Sequence, residues 1–269
     1  MEGLMTIITI SRGSYSRGKE IAEKLAEKLN YKCVSREVLL GTCGHYNVPE
    51  IELTKAIRNA PSFLKQFSGG KDHYIKRIRA TLLDYAQSDN IVYHGLAGQF
   101  LLQNIPNVLK VCLIADMDYR IKRVMKTELI SYESAESFLK KIDAERIKWG
   151  QRLYGINTYD PILFDLVIQV NCLTVDDAID IIQYSAKLPS FQATSASQEK
   201  LKNMTIKAQI IALLDEHPNA KIIVEEGSVY IGIRAPLNQK DRITREITEP
   251  VERIKGVKEV EIVLETGGS

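Results

Sequence analysis

Met5-Thr6-Ile7-Ile8-Thr9-Ile10 is an apolar run that breaks into Ser11-Arg12-Gly13-Ser14-Tyr15-Ser16-Arg17-Gly18-Lys19, and an amphipathic pattern follows at once. The order is strand, glycine-bounded loop, lysine, helix, as a phosphate-binding loop requires. Gly13 and Gly18 are expected to supply backbone dihedrals that side chains block. The N–H groups of Gly13, Ser14, Tyr15, Ser16, Arg17, Gly18, Lys19 and Glu20 then surround a phosphate at a helix N-terminus with partial positive charge. Lys19 is long enough to reach the outer phosphates as a point charge. Ile21, Leu25 and Leu29 make one apolar stripe, and Lys19/Glu23 and Glu20/Lys24 are i,i+4 pairs that support the helix. One position departs from the usual pattern, which ends in a Ser or Thr whose hydroxyl joins a magnesium shell. Glu20 stands there instead, so Ser16, Ser14 or a water is left to replace the hydroxyl, and the metal ligands stay unassigned.

Outward from this loop, short apolar runs alternate with helical patterns. Tyr31–Val34, Ile91–His94, Val108–Ala115 and Phe164–Val170 are the further strands. Helices are expected at Arg36–Leu40, Pro49–Arg58, Lys71–Ala86, Asp118–Leu129, Ala135–Trp149 and Val175–Lys187, the last with Thr174 as N-cap and Asp177 three residues on. Short apolar strands separated by helices predict an α/β fold with a parallel sheet covered on both faces.

The composition shifts at Pro189–Gln198, a stretch rich in Ser, Thr, Ala and Gln that reads as a linker. It divides a domain over residues 1–188 from a smaller one over 199–269. In the latter, Ile206, Ile210, Leu213 and Leu214 form a helical stripe, and Lys221–Val224 and Val229–Ile233 are strands. Asn238 caps a helix carrying Ile243, Ile247, Val251 and Ile254, which Gly256 ends before a strand over Val257–Leu264. The order is αββαβ.

The chain has 269 residues, 45% of them hydrophobic, enough for a sizeable core in one or two domains. A net charge of +2 gives no field that argues for nucleic acid or an anionic membrane. Cys33, Cys43, Cys112 and Cys172 show no paired spacing, which predicts reduced thiols in a cytoplasmic protein rather than disulfides or a zinc site. No stretch approaches the roughly 18 apolar residues of a membrane span, and no signal core follows the N-terminus.

Several of these segments resemble the cytidylate-kinase-like family of P-loop phosphotransferases. They are Ile8–Arg12 through Gly18-Lys19 with Ile21–Ala26 behind it, Ser35-Arg36-Glu37-Val38-Leu39, the strand ending at His94-Gly95, Pro106–Leu109, and Phe164–Ile168 followed by Thr174–Ala178. The resemblance covers roughly residues 5–187. It implies a P-loop kinase core with a five-stranded parallel sheet, ATP and Mg2+ as cofactors, and transfer of the γ-phosphoryl group to a nucleoside monophosphate or other small acceptor. It also implies an arginine-bearing lid, for which Arg120, Arg123 and Arg146 are the candidates beside Lys19. Asp143 and Arg146 keep the family's spacing, while the earlier Arg-Asp pair falls at Leu139-Lys140. Charged residues three apart are more commonly a solvated helix face. Arg36, His94, Arg77 and Asp143 are candidates on the acceptor side. Lys71, His73, Lys76, Arg77 and Arg79 hold an acceptor anion or form a solvated basic face, and His94 is equally a packed core histidine.

The departures are Glu20, Ser35 and Gly95-Leu96-Ala97, the last where the family carries Gly-Arg-Asp. They leave a second reading open: a catalytically impaired nucleotide-binding regulator. Gly227, Val229–Gly232, Gly256-Val257 and Val260 make the smaller domain resemble a BON domain. That resemblance implies binding to membranes, lipids or partners, and because the segment has no strongly basic run or amphipathic anchor, ligand sensing or homo-oligomer formation is expected rather than membrane attachment.

Overall fold

Five apolar runs bring the ends of distant segments to one edge of a sheet, and that edge is where the loop lies. A computed structural model of the chain describes residues 6–35, 72–88, 90–95, 97–214, 216–234 and 240–265. The helices expected at Arg36–Leu40 and Pro49–Arg58, and the residues Arg36, Lys71, Leu96 and Asn238, lie outside these.

The strands are β1 (Ile7–Arg12), β2 (Lys32–Ser35), β3 (Ile91–His94), β4 (Val108–Ile114) and β5 (Leu166–Gln169). They form one five-stranded sheet in the order β2-β3-β1-β4-β5, with every neighbour parallel. Ile7 pairs with both Ile91 and Val108, which puts β1 in the centre. The chain leaves β1 toward β2 and later crosses to β4 on its other side. That reversal opens the crevice at the carboxyl end where such sheets bind ligands.

Alternation along β1 sorts its side chains between the two faces. Ile8 and Ile10 pack with Val111 and Leu113 against α1 (Gly18–Leu29) and α6 (Val175–Ala186), through Ile21, Leu25, Ile179 and Ile182. On the opposite face Ile7, Ile91 and Tyr93 meet Leu82 and Leu83 of α2 (Asp72–Ala86) and Leu101 of α3 (Gly98–Leu101). Helix α6 starts as its sequence indicates, with Thr174 and Asp177 forming a reciprocal capping box.

Helices α4 (Met117–Glu128) and α5 (Tyr132–Tyr154) form a hairpin with its own small core of Ile121, Val124, Ala135 and Leu139. Helix α5 extends three residues earlier and five later than its apolar pattern alone predicts. Ser131 caps the start by accepting from Ser134 N, and Gly155 at φ 69 closes the end.

The smaller part contains β6 (Lys221–Glu225), β7 (Ser228–Arg234), α8 (Lys240–Glu252) and β8 (Glu259–Glu265) behind α7 (Ser195–Leu213). Its sheet order is β6-β7-β8. Glu226 at φ 50 and Gly227 at φ 91 make the two-residue turn between β6 and β7, with the double positive φ that matches strand twist.

Helix α7 serves both parts. Leu201, Ala208 and Ala212 enter the core beneath α2, while Ile206, Ile210 and, at the C-cap, Leu214 enter the core of the smaller sheet. It begins inside the Ser/Thr-rich stretch, because Thr194 and Ser197 form a capping box. Just before it, Phe191 O and the Gln192 amide hydrogen-bond Thr6 Oγ1 at 3.0 Å each.

Candidate functional site

The loop between β1 and α1 is built differently from the glycine-based expectation. Neither Gly13 nor Gly18 has a positive φ; the left-handed residues are Tyr15 (φ 61) and Arg17 (φ 57). With Ser14 and Ser16 between and before them, the backbone alternates in hand, and such alternation makes a concave nest of N–H groups that favours anions. Left-handed backbone at two non-glycine residues costs on the order of 1–3 kcal/mol each and must be held in place.

Both are held. The Arg17 guanidinium donates to both Glu20 oxygens, Nε to Oε2 at 2.8 Å and Nη2 to Oε1 at 2.6 Å. Tyr15 donates its hydroxyl to Glu128 Oε1 at 2.8 Å, and its ring meets Phe138 edge-on at 6.2 Å. Gly18 is required for packing rather than for φ: a Cβ there would lie 2.4 Å from Arg12 Cδ. Ser16 Oγ donates to Gly13 O at 2.8 Å and Leu113 O at 3.3 Å, closing the loop onto β4.

Glu20 therefore serves as the clamp on Arg17. The same hydrogen bonds hold its carboxyl below the usual carboxylate range, against the opposing effect of burial. The Lys19 side chain is 65% exposed and lies 3.6 Å from Glu23. Arg17 is thus the less exposed cation of the loop, at 32%.

Two of the three arginines that the resemblance offers for a lid come onto the loop and its approach. Arg120, 8% exposed, donates from Nε to Ser14 O at 2.8 Å. Its other nitrogens make a two-pronged pair with Asp143 at 2.8 and 2.9 Å. Arg146 Nη1 donates to Arg12 O at 2.9 Å and to the Tyr159 hydroxyl at 3.2 Å. Arg123 stands on the same face of α4 as Arg120, with a buried Nε that bonds nothing. Asp143 is thus brought to Arg120, and both arginines approach backbone carbonyls that flank the nest.

His94, expected from the sequence on the acceptor side, ends β3, 4% exposed, in register with Ile10 and Ser35. Arg77 lies half-buried on α2. Ser11 Oγ donates to Gln99 Oε1 at 2.6 Å, and Gln99 Nε2 to Thr158 O at 3.4 Å. These contacts tie β1, α3 and the segment after α5 together at the mouth of the crevice. Among the described residues no group of three or more His, Cys, Asp or Glu could hold a metal ion.

Sequence reasoning missed Gln99, Tyr159, Glu128 and the clamp role of Glu20. For the clamp a signal existed, since Arg17 and Glu20 stand i,i+3. Gln99 and Tyr159 have none, because their partners lie 88 and 13 residues away with no periodic relation.

The family model for the cytidylate kinase-like family matches residues 7–171. Cytidylate kinase of Sulfolobus acidocaldarius is 27% identical over 176 residues, covering 65% of this chain and 91% of that protein. The Ignicoccus hospitalis cytidylate kinase is 26% identical over 181 residues, covering 66% and 98%. Among solved structures, an uncharacterized protein from Eubacterium ventriosum aligns with a TM-score of 0.52 at 23% identity, over 67% of this chain and 98% of that one. That likeness shows the fold.

Proposed function

The chain belongs to the cytidylate kinase-like family, and on that premise we propose that it is an ATP-dependent phosphotransferase moving the γ-phosphoryl group to a nucleoside monophosphate or another small acceptor. The observation that carries this reading is the convergence of Arg120 and Arg146 on the carbonyls of Ser14 and Arg12, either side of an anion-favouring nest. Phosphoryl transfer asks a protein for positioning and positive charge more than for covalent chemistry.

In this reading the N–H groups of Gly13–Glu20 hold phosphate oxygens at the start of α1. Arg17 and Lys19 supply charge at the loop, and Arg120, Arg123 and Arg146 supply it from the lid. Arg120 is oriented by Asp143 and Arg146 by Tyr159. Arg77, His94 and Asp143 are the candidate acceptor contacts in this reading, together with Arg36, which lies outside the described residues. Bound ATP would be held by the N–H groups of the nest and would supply the phosphoryl group, and Mg2+ would screen its charge.

The test is transfer of label from γ-labelled ATP to a panel of nucleoside monophosphates and small hydroxy acceptors. Labelled product from one acceptor supports the kinase. Arg146→Ala is then expected to lower kcat/KM on the order of a hundredfold. No labelled product from any acceptor, with ATP bound, favours a second reading: a nucleotide-binding regulator reporting through a BON-like C-terminal domain. Lys19 beside Glu23 and the Arg17–Glu20 pair are the observations on that side.

A further inference from the structure

The three-stranded sheet of the smaller part packs its two helices against one face only. Ile222 of β6 and Val229, Ile231 and Ile233 of β7 enter the core that α7 and α8 share, meeting Ile206 and Ile247 there. Strand alternation sends the residues between them to the opposite face. On that face Ile223 is 55% exposed, Tyr230 47% and Val263 50%. They are contiguous. Ile223 stands opposite Tyr230, Val263 stands beside Gly232, and Gly232 is two residues along β7 from Tyr230. An exposed apolar patch rimmed by charge marks a surface for association.

The charges around the patch run with a polarity along the strands. Lys221 and Arg234 lie toward one end of the sheet, with Glu265 in register beside Arg234. At the other end Glu225 and Glu259 flank Ser228, and Glu261 stands beside Tyr230. Ser228 Oγ donates to Glu259 Oε1 at 2.6 Å, which turns that carboxylate toward the middle strand.

We propose that this face binds a second copy of the chain, the two sheets stacked face to face with their strands antiparallel about a two-fold axis. Aligned sheets keep their strand directions within about 30° of each other, so a two-fold stack is either parallel or antiparallel. The parallel stack sets Arg234 over Arg234 of the partner subunit and Glu225 over Glu259 of the partner subunit. An antiparallel stack centred between Tyr230 and Gly232 removes both clashes. It sets Tyr230 over Gly232 of the partner subunit, where no side chain obstructs the ring. Arg234 then lies over Ser228 of the partner subunit, between the partner subunit's Glu225 and the partner subunit's Glu259. The one like-charge approach, Glu259 to Glu265 of the partner subunit, falls at the rim next to that arginine.

The strands have five, seven and seven residues. At about 3.3 Å per residue and about 4.8 Å between strands, the face measures roughly 14 by 20 Å and buries about 300–500 Å² per copy. That is about half of a standard interface, which sets a weak dimer with Kd on the order of 10–100 µM. The inference does not rest on the phosphotransferase reading.

Sedimentation velocity of the full chain from about 1 to 500 µM tests it. The weight-average mass should rise from 30.4 kDa toward twice that value. Tyr230→Lys should raise Kd more than about tenfold. Arg234→Glu should raise it about threefold to tenfold, whereas a parallel stack would be tightened by the same change. Arg253→Glu, an equal charge reversal just past the end of α8 and off the face, should leave Kd unchanged. Far-ultraviolet circular dichroism of each variant checks that it is folded. A chain that stays monomeric across the range would overturn the proposal and leave the face to a partner of another kind. So would a dimer that survives Tyr230→Lys, or one that Arg234→Glu tightens.

Discussion

Arg17 holds a left-handed backbone at φ 57 while its guanidinium donates from Nε and Nη2 to the two Glu20 oxygens. Two roles for Glu20 make opposite predictions. If a hydroxyl there were simply missing from a metal shell, Glu20→Ser would improve ATP binding. If Glu20 orders the nest through Arg17, the same change should weaken ATP binding roughly three- to tenfold, as read by calorimetry. The geometry predicts the weakening. A second residue-scale consequence concerns pH. Tyr15 and Tyr154 are both pushed up to about 12, by burial first and in Tyr15 by the Glu128 hydrogen bond next. Unfolded tyrosines release their proton near pH 10, so the stabilising contribution is complete below pH 10. It is lost as pH rises from 10 through 12, where the unfolded chain has released protons that the folded chain retains. Urea midpoints across that range should fall less steeply in Tyr154→Phe than in the wild type.

Among the elements, the α4–α5 hairpin adds to its apolar core an ion pair between the buried Arg120 and the part-buried Asp143. Asp143→Ala would leave two donors of the buried Arg120 without partners and should cost about 2–3 kcal/mol in urea unfolding. Arg120→Met with Asp143→Leu should recover most of that stability and lose the contact to Ser14 O. The same hairpin shows what the sequence makes legible. Its helices, the strands β1 and β3, and the Thr174–Asp177 cap follow from patterns within a few residues, so local physics suffices to find them. Arg120, Asp143 and Arg146 were visible as candidates, but the bond from Arg120 to a carbonyl 106 residues away was not. The role of the loop glycines was misjudged for a related reason. Gly18 is small because Arg12 packs over it, and no pattern in the loop encodes that contact. The extent of α7 escaped too, since Thr194 and Ser197 sit in a stretch whose composition resembles a linker and whose capping box shows only in the backbone.

Across the whole molecule α7 carries apolar residues into both cores, through Leu201 and Ala212 on one side and Ile206 and Ile210 on the other. Unfolding the smaller part would therefore strip one face of a helix that also covers α2. Trp149 emission and far-ultraviolet circular dichroism should report one coincident urea transition, and two separated transitions would show that α7 does not couple the parts. On the proposed reading the site is assembled at the same scale: β1 leads into the loop, α4 and α5 carry the arginines that reach it, and Gln99 of α3 bonds Ser11 near the end of β1. The central claim is that this arrangement holds the phosphates of ATP. Calorimetric titration of the full chain with ATP and Mg2+ tests it most directly. The account predicts saturable binding at one site, weakened about tenfold in Arg17→Ala through loss of a charged partner. No heat of binding, or binding equal in the two proteins, would contradict it.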